Sequence, residues 1–192
     1  MRYVLNIKEC EFLGSGHEGS VYLTPEGFAL KVFYKKKNAD AEVNILEKVK
    51  DSRFFPKVLF IAGNMVLREY VEGDNLHKFL KEHGLSYNLS CEIIDLIEDF
   101  KKLGFKRLNI RNAHIFVCKD NKIQIIDPRE PYKKSTPYPK DIIKILVKLN
   151  LFDNFLKHLL SYKPHLLSYW ISGYNYFINF SKKRRHAHKR IC

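Results

Sequence analysis

The chain has 192 residues, 45% of them hydrophobic and 14% aromatic, which is enough apolar content for one sizeable buried core. The formal net charge is +13, and SKKRRHAHKRIC, 181 to 192, carries six Lys or Arg and no acid. MRYVLNIKEC has no charged-then-apolar leader, no run approaches the ~20 apolar residues that span a bilayer, and Cys10, Cys91, Cys118 and Cys192 show neither a CxxC pair nor metal-ligand spacing. The expectation is a cytoplasmic protein with reduced thiols and no transmembrane segment.

Residues 3 to 33 read as three short strands. Between the first two lies GSGHEGSVY, 14 to 22, in which Gly14, Gly16 and Gly19 let a hairpin backbone press close to a polyphosphate; a side chain there would block the approach and restrict φ. Val21 returns the chain to a strand, where it can cover the face of a purine. Taken alone, a Gly-rich surface hairpin reads the same way. Pro25-Glu26-Gly27 makes the next turn, and ALKVF, 29 to 33, sets Lys31 among Ala29, Leu30, Val32 and Phe33. A charge in such a strand is costly unless an anion meets it, and phosphate is the candidate.

These residues resemble the protein kinases and their small atypical bacterial and archaeal relatives, whose loop G-x-G-x-x-G-x-V precedes a strand lysine as in V-A-I-K. The resemblance implies an α+β, two-lobed protein kinase-like fold. Its small antiparallel β-sheet N-lobe would cover about 1–71 and its reduced, mainly helical C-lobe about 73–180, with a basic tail at 181–192. It also implies ATP with Mg²⁺ or Mn²⁺ as cofactors, a protein substrate or partner, and nucleotide contacts from Gly14, Ser15, Gly16, Gly19, Val21 and Lys31.

NADAEVNILEKVK, 38 to 50, spaces Val43, Leu46 and Val49 as a helix capped by Asn38. Glu42 falls where the resemblance puts the acid that pairs with the strand lysine; an ordinary surface glutamate is the alternative. KVLFIAG and NMVLREYVEG, 57 to 73, give two more strands. The kinase hinge would follow, with the Glu69 carbonyl and the Val71 N–H recognising adenine and Arg68 at the gatekeeper position. A buried guanidinium needs a carboxylate, so Arg68 is expected to pair with Glu42 or Asp127.

DNLHKFLKEHG, 74 to 84, reads as a short capped helix, and LSCEIIDLIEDFKKLG, 89 to 104, as a longer one with Ser90 as N-cap and Gly104 as its stop. RLNIRNAHIFV, 107 to 117, stands where kinases carry H-R-D-L-x-x-x-N, followed by two strands and D-F-G. Aligned on the apolar residues that follow, Asn109 takes the aspartate position, His114 the asparagine position, and Asp127 that of the metal-binding aspartate. Ile115 to Val117 and Ile123 to Ile126 are the strands about an Asp120-Asn121 turn, and Pro128 and Arg129 replace Phe and Gly.

An amide cannot accept a hydroxyl proton at neutral pH, and loss of a positioned base typically costs on the order of 10² to 10⁴ in rate. If His114 joins Asp127 as a metal ligand, imidazole would favour Mn²⁺ over Mg²⁺; a core histidine without metal is the alternative. Arg111 holds a phosphate or is solvated. DIIKILVKLNLFDNFLKHLL, 141 to 160, reads as one helix opened by Asp141, which caps it, holds the catalytic loop, or both. The aromatic LLSYWISGYNYFINF, 166 to 180, is either the last packed helix or a membrane-surface segment.

Three functions follow. One is an ATP-binding serine/threonine protein kinase-like enzyme with weak or atypical phosphotransfer, resting on Lys31, Glu42, Asn109 and Asp127. Another is a pseudokinase that binds nucleotide or a partner without transfer. The third is a nucleic-acid or anionic-surface binder working through the basic residues 182–190.

Overall fold

The computed structural model describes residues 6–128, 131–133 and 135–188. It is α+β and divides into two units, Met1–Gly73 with Gln124–Arg129, and Asp74–Ile123 with Glu130–Cys192.

In the first unit a 3₁₀ turn, Ile7–Glu9, precedes strands β1 (Glu11–Ser15), β2 (Gly19–Leu23) and β3 (Phe28–Phe33), helix α1 (Lys36–Lys48), then β4 (Val58–Ala62) and β5 (Met65–Glu69). The strands form one antiparallel sheet in the order β1-β2-β3-β5-β4. The predicted Pro25-Glu26-Gly27 turn is present: Gly27, at φ +83°, donates its N–H to the Thr24 carbonyl at 2.9 Å, and Thr24 donates to the Phe28 carbonyl at 2.8 Å.

Residues directly opposite in an antiparallel ladder share a face. Gly19 pairs with Phe33, Val21 with Lys31, Ala29 with Arg68 and Lys31 with Val66. One face of the sheet therefore carries Gly19, Val21, Lys31 and Arg68 together, and α1 lies against it through a cluster of Phe33, Ala39 and Val66 flanked by Val43 and Val58. The helix starts ahead of the predicted Asn38 cap. Lys35 is its N-cap with no side-chain bond, and Asn38 donates its N–H to the Lys35 carbonyl inside the first turn. Burial of Ala39, Glu42 and Leu46 at helical spacing holds α1 in place of a polar cap.

The second unit holds α2 (Leu76–His83), α3 (Tyr87–Lys102), α4 (Lys140–Lys148), α5 (Phe152–Tyr162) and α6 (Leu167–His188). A two-residue strand, β6 (Asp74–Asn75), pairs antiparallel with β7 (Ile115–Val117), and β8 (Ile123–Ile125) leads the chain back to the first unit. The Asn75 side chain caps α2 by accepting the Lys78 N–H at 3.0 Å. Ser86, not Ser90, caps α3, accepting the Leu89 N–H at 3.1 Å. Ser90 is one turn inside and fully buried, with its hydroxyl on the Ser86 carbonyl at 3.0 Å and 2.7 Å from His158 Nδ1.

Helix α3 ends as predicted at Gly104, φ +70°, where Gly104 donates to the Lys101 carbonyl and Phe105 to the Phe100 carbonyl, at 3.0 and 2.9 Å. The same motif breaks the predicted single helix 141 to 160 in two. Asn150 takes φ +56° and donates to the Val147 carbonyl at 3.2 Å, while Leu151 donates to the Leu146 carbonyl at 2.8 Å. Asparagine visits this conformation with little penalty, so it ends a helix where continuous apolar spacing predicts none.

Ile93, Ile97, Ile142, Leu146, Phe155, Leu159 and Trp170 make the core of this unit. The aromatic segment is its last packed helix. Trp170 lies edge-on to Phe155 at 4.6 Å, and a Cβ on Gly173 would fall 2.8 Å from Ile143 Cδ1, so only glycine lets α6 approach α4 this closely. The backbone of α6 stays helical through the start of the basic run to His188, and residues 189–192 lie outside the described ones. Among the described residues no helix is long and apolar enough to cross a membrane, and Cys10, Cys91 and Cys118 are free thiols; Cys192 is outside them.

Candidate functional site

The Gly-rich hairpin joins β1 to β2, closed by a 2.9 Å bond from the Gly16 N–H to the Gly19 carbonyl. Its glycines are not equivalent. A Cβ on Gly19 would run into the Val32 carbonyl and sit 2.8 Å from Phe33 Cα, so the β2–β3 ladder itself demands glycine there. A Cβ on Gly14 or Gly16 would meet nothing within 4 Å. Sheet packing gives no reason for glycine at those two positions, whereas close approach of a ligand does. Ser15 is exposed at the tip, and Val21 lies directly across the ladder from Lys31.

Lys31 is 7% exposed, on the sheet face covered by α1. Its ammonium donates to Glu42 Oε2, lies 3.7 Å from Asp127 Oδ1, and stands 4.5 Å from the centre of the Phe33 ring. Helix α1 turns Glu42, 6% exposed, inward onto it. Arg68, 4% exposed, completes the group with Nη1 3.9 Å from Glu42 Oε1. Of the two partners expected for Arg68, Glu42 is the one it meets. Two cations and two carboxylates thus occupy one site within the first unit, and their formal charges sum to zero.

The cluster is incompletely bonded. Glu42 Oε1 and the Arg68 Nε and Nη1 atoms are buried with no hydrogen-bond partner. Desolvating ions is expensive, and good geometry with full hydrogen bonding is what offsets it. Asp127 adds a second departure from ordinary structure: it is a non-glycine residue at φ +55°, side chain 18% exposed. Such conformations cost on the order of 1–3 kcal/mol and gather at functional sites.

Beside the end of β5, a hollow of about 390 Å³ is lined by Gly27, Phe28, Glu69, Tyr70 and Gln124. Glu69 closes β5, its N–H donating to the Lys57 carbonyl and its Oε2 accepting the Lys57 N–H, both at 3.0 Å. Val71 follows, 7% exposed.

In the second unit, both polar ends of the Asn109 amide are spent on Asp141. Nδ2 donates to Asp141 Oδ2 at 3.1 Å, and Oδ1 accepts the Asp141 backbone N–H at 2.7 Å. The Asn109 N–H donates to Thr136 Oγ1 at 3.3 Å, its carbonyl accepts Arg107 Nε at 3.3 Å, and Asn112 Nδ2 donates to the Asp141 carbonyl at 3.0 Å. Asn109 thereby ties its loop to the first turn of α4. Sequence reasoning gave Asp141 the choice of capping its helix or holding the loop; its side chain holds the loop, and its helix is capped from Asn109.

His114 ends a 3₁₀ turn, Asn112–His114, also in this unit. Arg111 is exposed just before it. The Asp120-Asn121 turn has φ +57° and +59°, the mirror-image hairpin geometry that these residue types favour. Among the described residues no three His, Cys, Asp or Glu side chains gather as a metal cluster. Arg129 lies outside the described residues.

Four features escaped the sequence: the Phe33 ring under Lys31, the unbonded atoms of Arg68 and Glu42, the Asn109–Asp141 pair and the Ser90–His158 contact. Residues 109 and 141 are 32 apart, and no local pattern links them.

The α+β fold, with a five-stranded antiparallel sheet beside helical segments and a lysine–carboxylate cluster on the sheet, is compatible with a two-lobed kinase-like architecture. No family model matches the chain. Over 126 residues it is 25% identical to "Putative serine/threonine-protein kinase YrzF" of Bacillus subtilis (strain 168), an alignment covering 62% of this chain and 59% of that protein. The chain therefore spans well under two thirds of the length of the curated relative it matches.

Proposed function

We propose that this chain is a kinase-like domain that binds ATP with a divalent metal through its first unit, and in which residue 109 supplies no general base. The observation that carries the reading is the convergence of Lys31, Glu42 and Asp127 on one sheet face, with two glycines opposite Val21's strand whose lack of a side chain the fold does not require. The printed name of the Bacillus relative supports the same reading.

In this scheme the backbone of Gly14, Ser15 and Gly16 lies along the phosphates, with Gly19 fixing the hairpin behind them. Val21 covers the base, the Glu69 carbonyl and Val71 N–H recognise its edge, and Lys31 meets the α- and β-phosphates while Glu42 orients it. Magnesium is commonly held by one or two carboxylates together with substrate phosphates, so the Asp127 carboxylate fits that donor role. His114 as a further nitrogen ligand would shift preference to Mn²⁺. The metal supplies the positive charge that a polyphosphate needs here, because the protein's own four charges already cancel.

Transfer to a serine or threonine would form a bond from its oxygen to the γ-phosphorus, break the β–γ bridge to leave ADP, and release the hydroxyl proton to water. With Asn109 committed to Asp141, that proton has no carboxylate at residue 109 to go to, so turnover is slow or absent. The same observation favours the second reading, a pseudokinase in which nucleotide sets conformation only. A thermal-shift titration with ATP and Mg²⁺ or Mn²⁺ tests the core of both. Stabilisation is expected, lost in Lys31→Ala and Asp127→Ala; no shift in the unmodified chain would overturn the proposal.

A further inference from the structure

We infer that Arg68 is a reserve counter-ion for Glu42, a positioning residue that lets Lys31 turn to an anionic ligand without leaving a buried carboxylate unpaired. This rests on the reading above, that Lys31 takes nucleotide phosphate. Lys31 is bonded to Glu42 Oε2, so an anion that draws the ammonium away removes that oxygen's partner. Glu42 is 6% exposed, and water cannot readily replace the ammonium. Breaking one side of a buried pair is the costly event, far more so than never forming it.

Arg68 stands ready on the opposite side. Its Nη1 is 3.9 Å from Glu42 Oε1, too long for a hydrogen bond and close enough to become one by a small side-chain shift. Both Nη1 and Oε1 are unbonded and buried, as is Arg68 Nε. Donors and an acceptor held this near, and left unmatched, are what a partner exchange requires. Register keeps Arg68 there: it pairs with Ala29, two residues before Lys31 on the same face, so both cations reach the carboxylate brought in by α1. A guanidinium suits the task because it is always charged and presents several donors in a fixed plane.

Other parts of the molecule carry less. The exposed apolar edge strand β4, with Leu59, Phe60 and Ile61 at the surface, has nothing to say what covers it, and the Ser90–His158 contact is closed to substrate because Ser90 is fully buried.

The test compares ATP with adenosine, each titrated calorimetrically in Mg²⁺ against the full chain and its variants. Only ATP has phosphates to draw Lys31 off Glu42, so Arg68→Met is expected to lower the preference for ATP over adenosine by about tenfold while adenosine affinity stays within about twofold. Arg68→Lys, which keeps a cation, restores the preference. A merely structural Arg68 would weaken both ligands together. Should Arg68→Met not fold, Arg68→Gln reads the same ratio. An unmodified chain with no preference for ATP would overturn the proposed function and this inference with it; an unmodified chain that prefers ATP, alongside an Arg68→Met that prefers it equally, would overturn the inference alone.

Discussion

The two places where charge or amide is buried in this molecule are built on opposite principles. Around Lys31 the groups outrun their bonds: Arg68 and Glu42 keep buried polar atoms without partners, and Asp127 sits in a strained conformation. Around Asn109 the bonds are matched, with side-chain oxygen and nitrogen, backbone N–H and carbonyl each engaged. A site that must receive something keeps unmet hydrogen-bonding capacity. A joint that must hold two segments together spends it. The contrast divides the kinase-like motifs of this chain into nucleotide-holding parts that remain suited to their task and a catalytic-loop position that has become scaffolding.

The largest expected effect is Lys31→Met, which removes the phosphate partner. ATP affinity should fall at least tenfold by calorimetry, and an unchanged affinity would erase the contrast. Next comes Gly19→Ala, where the new methyl meets the β3 backbone. Overpacking of this kind typically costs about 1–3 kcal/mol, read as a lowered midpoint in urea unfolding. Gly16→Ala has open space and is expected to leave that midpoint within about 0.5 kcal/mol while weakening ATP. If both alanines destabilised equally, the distinction between the glycines would be lost.

Asn109→Asp sharpens the second half of the comparison. In an active site this change would restore a base; here it sets a second carboxylate where the amide now lies 3.1 Å from Asp141 Oδ2 and removes a donor. The expected outcome is no gain in phosphotransfer and a loss of about 1–3 kcal/mol in stability. A stable and faster Asn109→Asp variant would show the loop to be a dormant active site. The smallest effect is Asn150→Gly, which relieves a positive φ and is expected to raise stability by a few tenths of a kcal/mol, about 0.5 at most.

Much of the first unit was legible because its signals are local. Glycine spacing, the strand lysine and the helix carrying Glu42 lie within residues 14–48, and strand alternation fixes which side chains share a face. The helix boundaries that went astray did so where one residue type serves two purposes. Ser86 and Ser90 both offer an N-cap, and the packing of Ser90 against His158 decides between them. Asn150 breaks an apolar pattern that continues on both sides of it. The Asn109–Asp141 pair was illegible because it is tertiary. Sequence alignment shows an amide in place of an acid, and only the fold shows what that amide holds.

The most direct measurement is calorimetric titration of Mg²⁺–ATP into the unmodified chain and into Lys31→Met and Asp127→Asn. The account predicts saturable one-to-one binding that requires the metal, weakened at least tenfold in each variant. Equal binding in all three proteins, or none in the unmodified chain, would contradict it.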